Sequence, residues 1–590
     1  MKTIEKRSVW SVLKLAFLAV LLVTASCSQE MAELEANQEG VQAKNSKAVL
    51  KTLAKGAKIH GTNGIYFGPD DNLYIASFYG QEIVVMDKES GKIINRFGVG
   101  EGVLGPDDLV FHPDGKSFFF TDIVTGYVGE MNLKGEILQY AEFKAGNNPI
   151  TFLEDENDPE NPRLFVALDF QGEGLYELDP EDLSIYRAII EPSGSNPFPL
   201  GFFNAFDFGP DGRLYGPSFL FGKIISVDVG EWGDPPADPS TLIEEVVGGF
   251  DFAVAAKFGP DGLLTVLDQN GKVYKVDIVN KTKTLFTTLQ PGLDNLAFDK
   301  DGTLYVSNAD FGWIVEILPS RQARTISTGG MIGPMGVAVL QGANNKDDVF
   351  VGDLFRMYNF NGHTGNEKEV YKGYLVPETD KLTMPFSVQA DTDGENLIVT
   401  SWFSELVQVW NPESELVTEE YPMVYPIDAV RVNGEIAVSD LGLGGVVWAS
   451  NQDPILPIDD ATVFAPGGLA TDGVTLWVAD WGSGIVWEVN FNGSPPFPVA
   501  NNLKSPEGLA FEKEGSLVVV ETGESRLSRI DLNKDAGENV TIIAENLELS
   551  APALPGGLPT WWFDGVAVGP SGDIYVTGGG ANALYRVSPK

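Results

Sequence analysis

One short pattern recurs along most of this chain and leaves few folds open to it. Its clearest copies are NGIYFGPDDNLYIASFYGQEIVVMD from Asn63, NAFDFGPDGRLYGPSFLFGKIISVD from Asn204 and DNLAFDKDGTLYVSNADFGWIVEIL from Asp294. Each reads as an alternating strand, a Pro-Asp-Gly type of turn, a second strand rich in aromatic and β-branched residues, a Gly/Asx loop and a third strand. Period-two alternation gives half-buried strands, and Asp-Gly suits the tight turns between them. With the residue before the turn as a marker, copies fall at Phe67, Phe111, Phe152, Phe208, Phe258, Phe298, Val339, Ala390, Val432, Thr471, Phe511 and Val568. The mean spacing is about 45 residues, the length of one four-stranded propeller blade.

Twelve blades exceed the roughly four to eight of a single ring. The expected fold is therefore all-β, with two tandem six-bladed β-propellers built from twelve four-stranded blades; seven plus five blades also fits. The chain ends after the third strand of its last copy, and a strand-like AVLKTLAKG precedes the first. That segment would close the first ring at residues 48–322, and ARTIST near residue 325 would close the second at 323–590. Closure of this kind removes exposed sheet edges.

Composition narrows function mainly by exclusion. The chain has 590 residues, 40 Lys+Arg, 83 Asp+Glu and a formal charge of −43. No Lys/Arg cluster is present to neutralise phosphates, so nucleic acid is not an expected partner. A single cysteine excludes an intrachain disulfide and a thiolate zinc site. Three histidines, His60, His112 and His363, leave little room for a His-rich metal centre, and no serine stands in a nucleophile-elbow context. His60 precedes the first copy and could reach its inner end, although a loop role is the simpler one.

Residues 1–26 carry a basic start (Lys2, Lys6, Arg7) and an apolar stretch from Val9 to Val23 interrupted by Lys14. The stretch is too short and poorly flanked for a spanning helix and reads as an export signal. Thr24-Ala25-Ser26 then precede Cys27, which resembles a bacterial lipoprotein signal, although Thr24 stands where Leu or Val is usual. The resemblance implies acylation of Cys27, anchorage in a membrane, and a place in the bacterial cell envelope, at the outer membrane or periplasmic face. An ordinary signal peptide with an incidental cysteine is the other reading. Residues 27–47 are polar and suit a tether.

At the level of these GPDG-LY strands, the repeats resemble the NHL and SMP-30/gluconolactonase superfamily of six-bladed propellers. The informative position lies four residues before each marker, where the innermost strand begins. In the first ring it holds Asn63, Asp107, Asn148, Asn204, Val254 and Asp294. In calcium-dependent lactonases and organophosphate hydrolases of that superfamily, equivalent positions supply Glu, Asn, Asn and Asp ligands. The resemblance thus implies a Ca²⁺ site from Asn63, Asn148, Asn204 and Asp294, with Asp294 or Asp107 as base or nucleophile-positioning group. The chemistry is coherent, because Ca²⁺ takes carboxylate and amide oxygens. Asn63 replaces the usual glutamate. The same residue types also suit loops that hydrogen-bond their own backbone, and both readings stay open.

The second ring offers Met335, Phe386, Asp428, Gly467, Glu507 and Asp564 at this position, a poorer cation cage. Most of the 11 tryptophans lie in this half. Trp402, Trp481 and Trp561, beside Asp428, Glu507 and Asp564, could stack on a glycan or another flat ligand, or pack between blades. Two functions follow from different classes. One is a metal-dependent hydrolase of lactones, esters or phosphoesters; the other is a non-catalytic scaffold for a glycan, peptide or envelope partner. A monomer is expected in either case.

Overall fold

The computed structural model describes residues 48–154, 161–169, 172–231, 239–342, 346–374, 377, 380–459, 463–512, 515–550 and 563–589. Cys27, the export signal, the tether and Trp561 lie outside them. The described chain forms twelve four-stranded antiparallel sheets and almost no helix. In the first sheet the strands Ile65–Phe67, Leu73–Ser77, Glu82–Met86 and Ile93–Phe97 pair in chain order.

The recurring turn explains why these residues make hairpins. In the fourth copy Gly209 N–H donates to the Arg213 carbonyl at 2.8 Å, while Asp211 accepts from Arg213 N–H and from the Tyr215 hydroxyl at 2.8 Å. A Cβ on Gly209 would fall 2.6 Å from the Tyr215 ring, so the glycine and tyrosine of the motif need each other. A second device recurs at the far end of the hairpin. Asp122, Asp268, Asp440 and Asp480, each ending a second strand, accept backbone N–H groups from the loop that leads into their sheet. Part of the acidic excess is therefore loop-fixing chemistry that satisfies buried backbone donors.

The chain divides into two compact units, Ala57–Ile332 and a second made of Gly333–Lys590 with the segment ending at Gly56. Among the described residues, six of the twelve sheets fall in each. In Ala57–Ile332 the innermost strands are Ile65–Phe67, Pro106–Phe111, Asn147–Leu153, Asp207–Phe208, Ala253–Phe258 and Leu293–Phe298. Each packs beside the next and the last beside the first. The innermost strands from Val337–Gln341 to Val566–Val568 do the same in the second unit. This is a β-propeller architecture, and the cores lie between successive sheets. Phe165, Phe203, Phe206 and Leu214, for example, fill the space between the third and fourth; burial of each such side chain contributes about 1.5–3 kcal/mol.

Ring closure differs from the sequence expectation. Val49–Lys55 does not close Ala57–Ile332. It pairs with Ala583–Ser588 and forms the outer strand of the last sheet, while Ala323–Ser327 closes the sixth sheet of its own unit. The two closures are geometrically equivalent. A Cβ on Gly91, in the first sheet, would meet the Ile326 carbonyl oxygen at 1.9 Å, and one on Gly365, in the seventh, would meet that of Leu53 at 2.0 Å. The unit boundaries follow: Ala57–Ile332 lies, in chain order, inside the second unit rather than before it. The closing contacts are polar as well. Lys88 of the first sheet bridges Asp71 at 2.9 Å and Asp299 of the sixth at 2.8 Å. In the second unit the Tyr575 hydroxyl donates to Asp347 at 2.8 Å.

Candidate functional site

The innermost strands of Ala57–Ile332 begin with a defect that shapes their centre. Register shifts interrupt the pairing between Pro106 and Leu109, Asn147 and Ile150, Ala253 and Ala255, and Leu293 and Leu296. Bulges re-aim side chains. Here they bear on two successive residues in three of the copies: Asp107-Asp108, Asn148-Pro149 and Asp294-Asn295.

Side-chain contacts here join one sheet to another. Asn148 Nδ2 donates to Asn204 Oδ1 at 2.8 Å, which joins two of the expected ligands directly. Asp108 of the second sheet accepts from Asn295 Nδ2 of the sixth at 3.3 Å, past Gly64 of the first. Its other oxygen accepts from Ile150 N–H at 3.3 Å. Asn63 Oδ1 is buried and meets no donor among the described residues. A buried amide oxygen without a donor is costly and marks a place where a donor or cation fits.

The electrostatics agree with this picture. Burial, then Asp294, Asp108 and Asp169, hold the Asp107 carboxyl well above the usual carboxylate range. Burial, then Asp108 and Asp310, push Asp294 upward too, with Lys257 pulling the other way. Two carboxyls raised by burial and by neighbouring carboxylates are poised to accept a proton or a cation. The donor set, amide and carboxylate oxygens without nitrogen or sulfur, suits Ca²⁺. No group of three or more His, Cys, Asp or Glu placed to hold a metal occurs among the described residues, so any such site rests on the asparagines.

Around this centre stand residues that a one-position reading of the repeat passes over. Asp108 and Asn295 were legible only as the second members of Asx doublets. Asp169 and Glu173 are buried and fix the loop before the fourth inner strand: Glu173 accepts from Leu200 N–H at 2.7 Å and Asp169 from Phe203 N–H at 3.1 Å. Val254 leaves the fifth position of the ring apolar, as expected.

In the second unit the acidic residues are taken up by the fold. Asp428 is buried and accepts from Ser387 Oγ at 2.7 Å, Gln389 Nε2 at 3.0 Å, Leu469 N–H at 2.8 Å and Ala429 N–H at 2.9 Å. It ties three neighbouring sheets together. Asp564 accepts from Ser550 N–H at 2.7 Å and Gly579 N–H at 3.0 Å, and its own N–H donates to Glu507 at 2.9 Å. The aromatic residues gather more openly. Half-buried Trp402 stacks on Phe386 with centroids 4.9 Å apart and lies 5.3 Å from Tyr425. Half-buried Trp481 lies beside Gly467, where a Cβ would be 3.3 Å from its ring and 3.9 Å from that of Phe563.

No protein-family model and no curated protein matches this sequence. Among solved structures, a streptogramin B lyase aligns over 52% of this chain and 94% of its own at 15% identity, with a TM-score of 0.35. The extracellular domain of BT4673 from B. thetaiotaomicron, described as a hybrid two-component system, aligns over 92% of this chain and 83% of its own at 10% identity, with a TM-score of 0.32. The class that the sheets and their order define is an all-β protein of β-propeller architecture.

Proposed function

We propose that the chain is an exported, lipid-anchored protein of the bacterial cell envelope, with two six-bladed propellers. In this reading Ala57–Ile332 resembles the SMP-30/gluconolactonase group and hydrolyses a lactone, ester or phosphoester with the help of a divalent cation, Ca²⁺ by its donor chemistry. The observation that carries the proposal is the oxygen-rich ring centre: Asn148 against Asn204, and Asn63 Oδ1 buried without a donor. Asn63, Asn148, Asn204 and Asp294 would hold the cation, which supplies Lewis-acid polarisation of the scissile carbonyl or phosphoryl oxygen. Asp107, raised in proton affinity by burial and then by Asp294, Asp108 and Asp169, would serve as the general base for the attacking water. Its carboxylate takes the water proton as the new C–O or P–O bond forms, and returns it to the leaving oxygen. The test is a panel of lactones, aryl esters and phosphoesters assayed with and without chelator, on wild type and Asp107→Asn. Turnover that needs cation and falls at least a hundredfold in the variant supports the proposal; turnover indifferent to both refutes it.

A second reading is favoured by the aromatic group of the other unit. Trp402 on Phe386, and Trp481 beside Gly467, offer half-buried indole faces of the kind that stack on sugars. In this reading the second propeller binds a glycan or another envelope ligand without turnover. Glycan-array binding that survives Trp402→Ala together with Trp481→Ala would remove it.

A further inference from the structure

One residue before the turn marker, the six copies of Ala57–Ile332 carry Tyr66, Val110, Thr151, Asp207, Lys257 and Ala297. The row holds one cation, and it stands in the fifth copy, whose inner end is Val254. The copy whose inner end is apolar carries an ammonium three residues further along its strand. Lys257 Nζ lies 5.7 Å from the centre of the Tyr66 ring. Tyr66 belongs to the first sheet and Lys257 to the fifth, so this contact passes the sixth sheet and crosses the middle of the ring. Lys257 is half-buried, yet its ammonium makes no hydrogen bond or ion pair among the described residues.

Its charge is nevertheless felt there. Burial raises the carboxyls of Asp108 in the second sheet, Asp207 in the fourth and Asp294 in the sixth, and Lys257 pulls each of them the other way. Two of those carboxylates are held by neutral groups. Asp207 accepts from Phe258 N–H and Phe208 N–H, both at 2.9 Å, and Asp108 from Asn295 and Ile150. A half-buried cation among several carboxylates, bonded to none of them, balances their charge without fixing their geometry.

We infer that Lys257 is the resident counter-cation of this ring centre and sets how tightly a divalent cation binds there. The inference rests on the cation reading proposed above. In the absence of metal, the ammonium offsets the carboxylates. When a divalent ion enters, the same ammonium repels it, and affinity is held down. The lysine thus tunes the site towards exchangeable rather than permanent occupancy.

The experiment is calorimetric titration of Ca²⁺ into metal-free protein at pH 7.5, comparing wild type with Lys257→Met, Lys257→Arg and Lys272→Met. Lys272 pairs with Asp251 at the surface and controls for the loss of one positive charge. Lys257→Met is expected to bind Ca²⁺ about tenfold more tightly, a difference of about 1.4 kcal/mol. Lys257→Arg and Lys272→Met should stay within about twofold of wild type. Unchanged or weaker binding in Lys257→Met would overturn the inference. A second readout needs no cation binding: metal-free Lys257→Met should melt below Lys257→Arg, and saturating Ca²⁺ should close the gap. Equal metal-free melting of the two would reject the counter-cation role. If neither wild type nor variants bind Ca²⁺, the cation reading falls and the affinity claim with it. The melting comparison then still decides whether Lys257 balances the carboxylates.

Discussion

Replacing Leu53 with alanine should weaken the unit that contains Gly333–Lys590, although residue 53 lies next in the chain to the other unit. Leu53 sits in the outer strand that pairs with Ala583–Ser588, is 7% exposed, and has its Cδ1 3.3 Å from where a Cβ on Gly365 would stand. It is therefore seated between the last sheet and the seventh, at the point where their ring closes. Truncation of a buried leucine costs about 2–5 kcal/mol, and the low end is apt for a side chain at the rim. At about 2.5 kcal/mol, with roughly 2–4 °C per kcal/mol for a unit of this size, the second unit should melt about 5–10 °C lower. Differential scanning calorimetry would read the shift, and hydrogen-exchange mass spectrometry would assign it. Faster exchange is expected in Glu367–Lys372 and Ala583–Ser588, with Leu293–Phe298 and Ala323–Ser327 unchanged. Exchange that quickens in Leu293–Ser327 instead would show that the strand closes the other ring, and the assignment of units would be wrong.

Further outcomes can be checked alongside. Lys88→Met removes the bridge between Asp71 and Asp299 and leaves buried Asp299 without its cation, while Asp71 keeps Lys300 at 3.0 Å, so the transition of Ala57–Ile332 should lose about 3 kcal/mol, with the other unit unmoved in the same scan. Stability should also rise on mild acidification. Burial pushes Glu173 up to about 7 and Asp428 up to about 6, above their unfolded values, so the folded chain binds these protons more tightly. Stability is then lost as pH rises from about 4 through those folded values, by about 3 kcal/mol per group at most. Urea midpoints should be higher at pH 5.5 than at pH 8, and Glu173→Gln should flatten the slope; a higher midpoint at pH 8 would contradict this.

Much of the architecture could be read from the repeat because its chemistry is local. Gly209, Asp211 and Tyr215 lie within seven positions of one another and specify their hairpin without help from the rest of the chain. Closure was not local. AVLKTLAKG and ARTIST have equally strand-like patterns, and the choice between partners depends on edges more than 200 residues away in one case and directly adjacent in the other. The ring centre was half legible. Asn148 and Asn204 stand at the expected position and meet, but the bulges bring the next residue into play, so Asp108 and Asn295 had to be found from contacts. Lys257 carries no local signal, because its meaning comes from Tyr66 across the ring. In the second unit, Asp428, picked out by its position in the repeat, also makes four hydrogen bonds that tie neighbouring sheets together, a role fixed by neighbours remote in sequence.

Metal content is the most direct measurement. The soluble chain from residue 28 onward, brought to equilibrium by dialysis against Ca²⁺, should hold about one ion per chain above the dialysate concentration by elemental analysis. Asn63→Ala and Asp294→Ala should each release it, with the melting of Gly333–Lys590 unaffected. Retention of Ca²⁺ by both variants, or no Ca²⁺ in the wild type at millimolar concentration, would contradict a cation site at this ring centre. The asparagines and aspartates there would then be turn-forming residues alone.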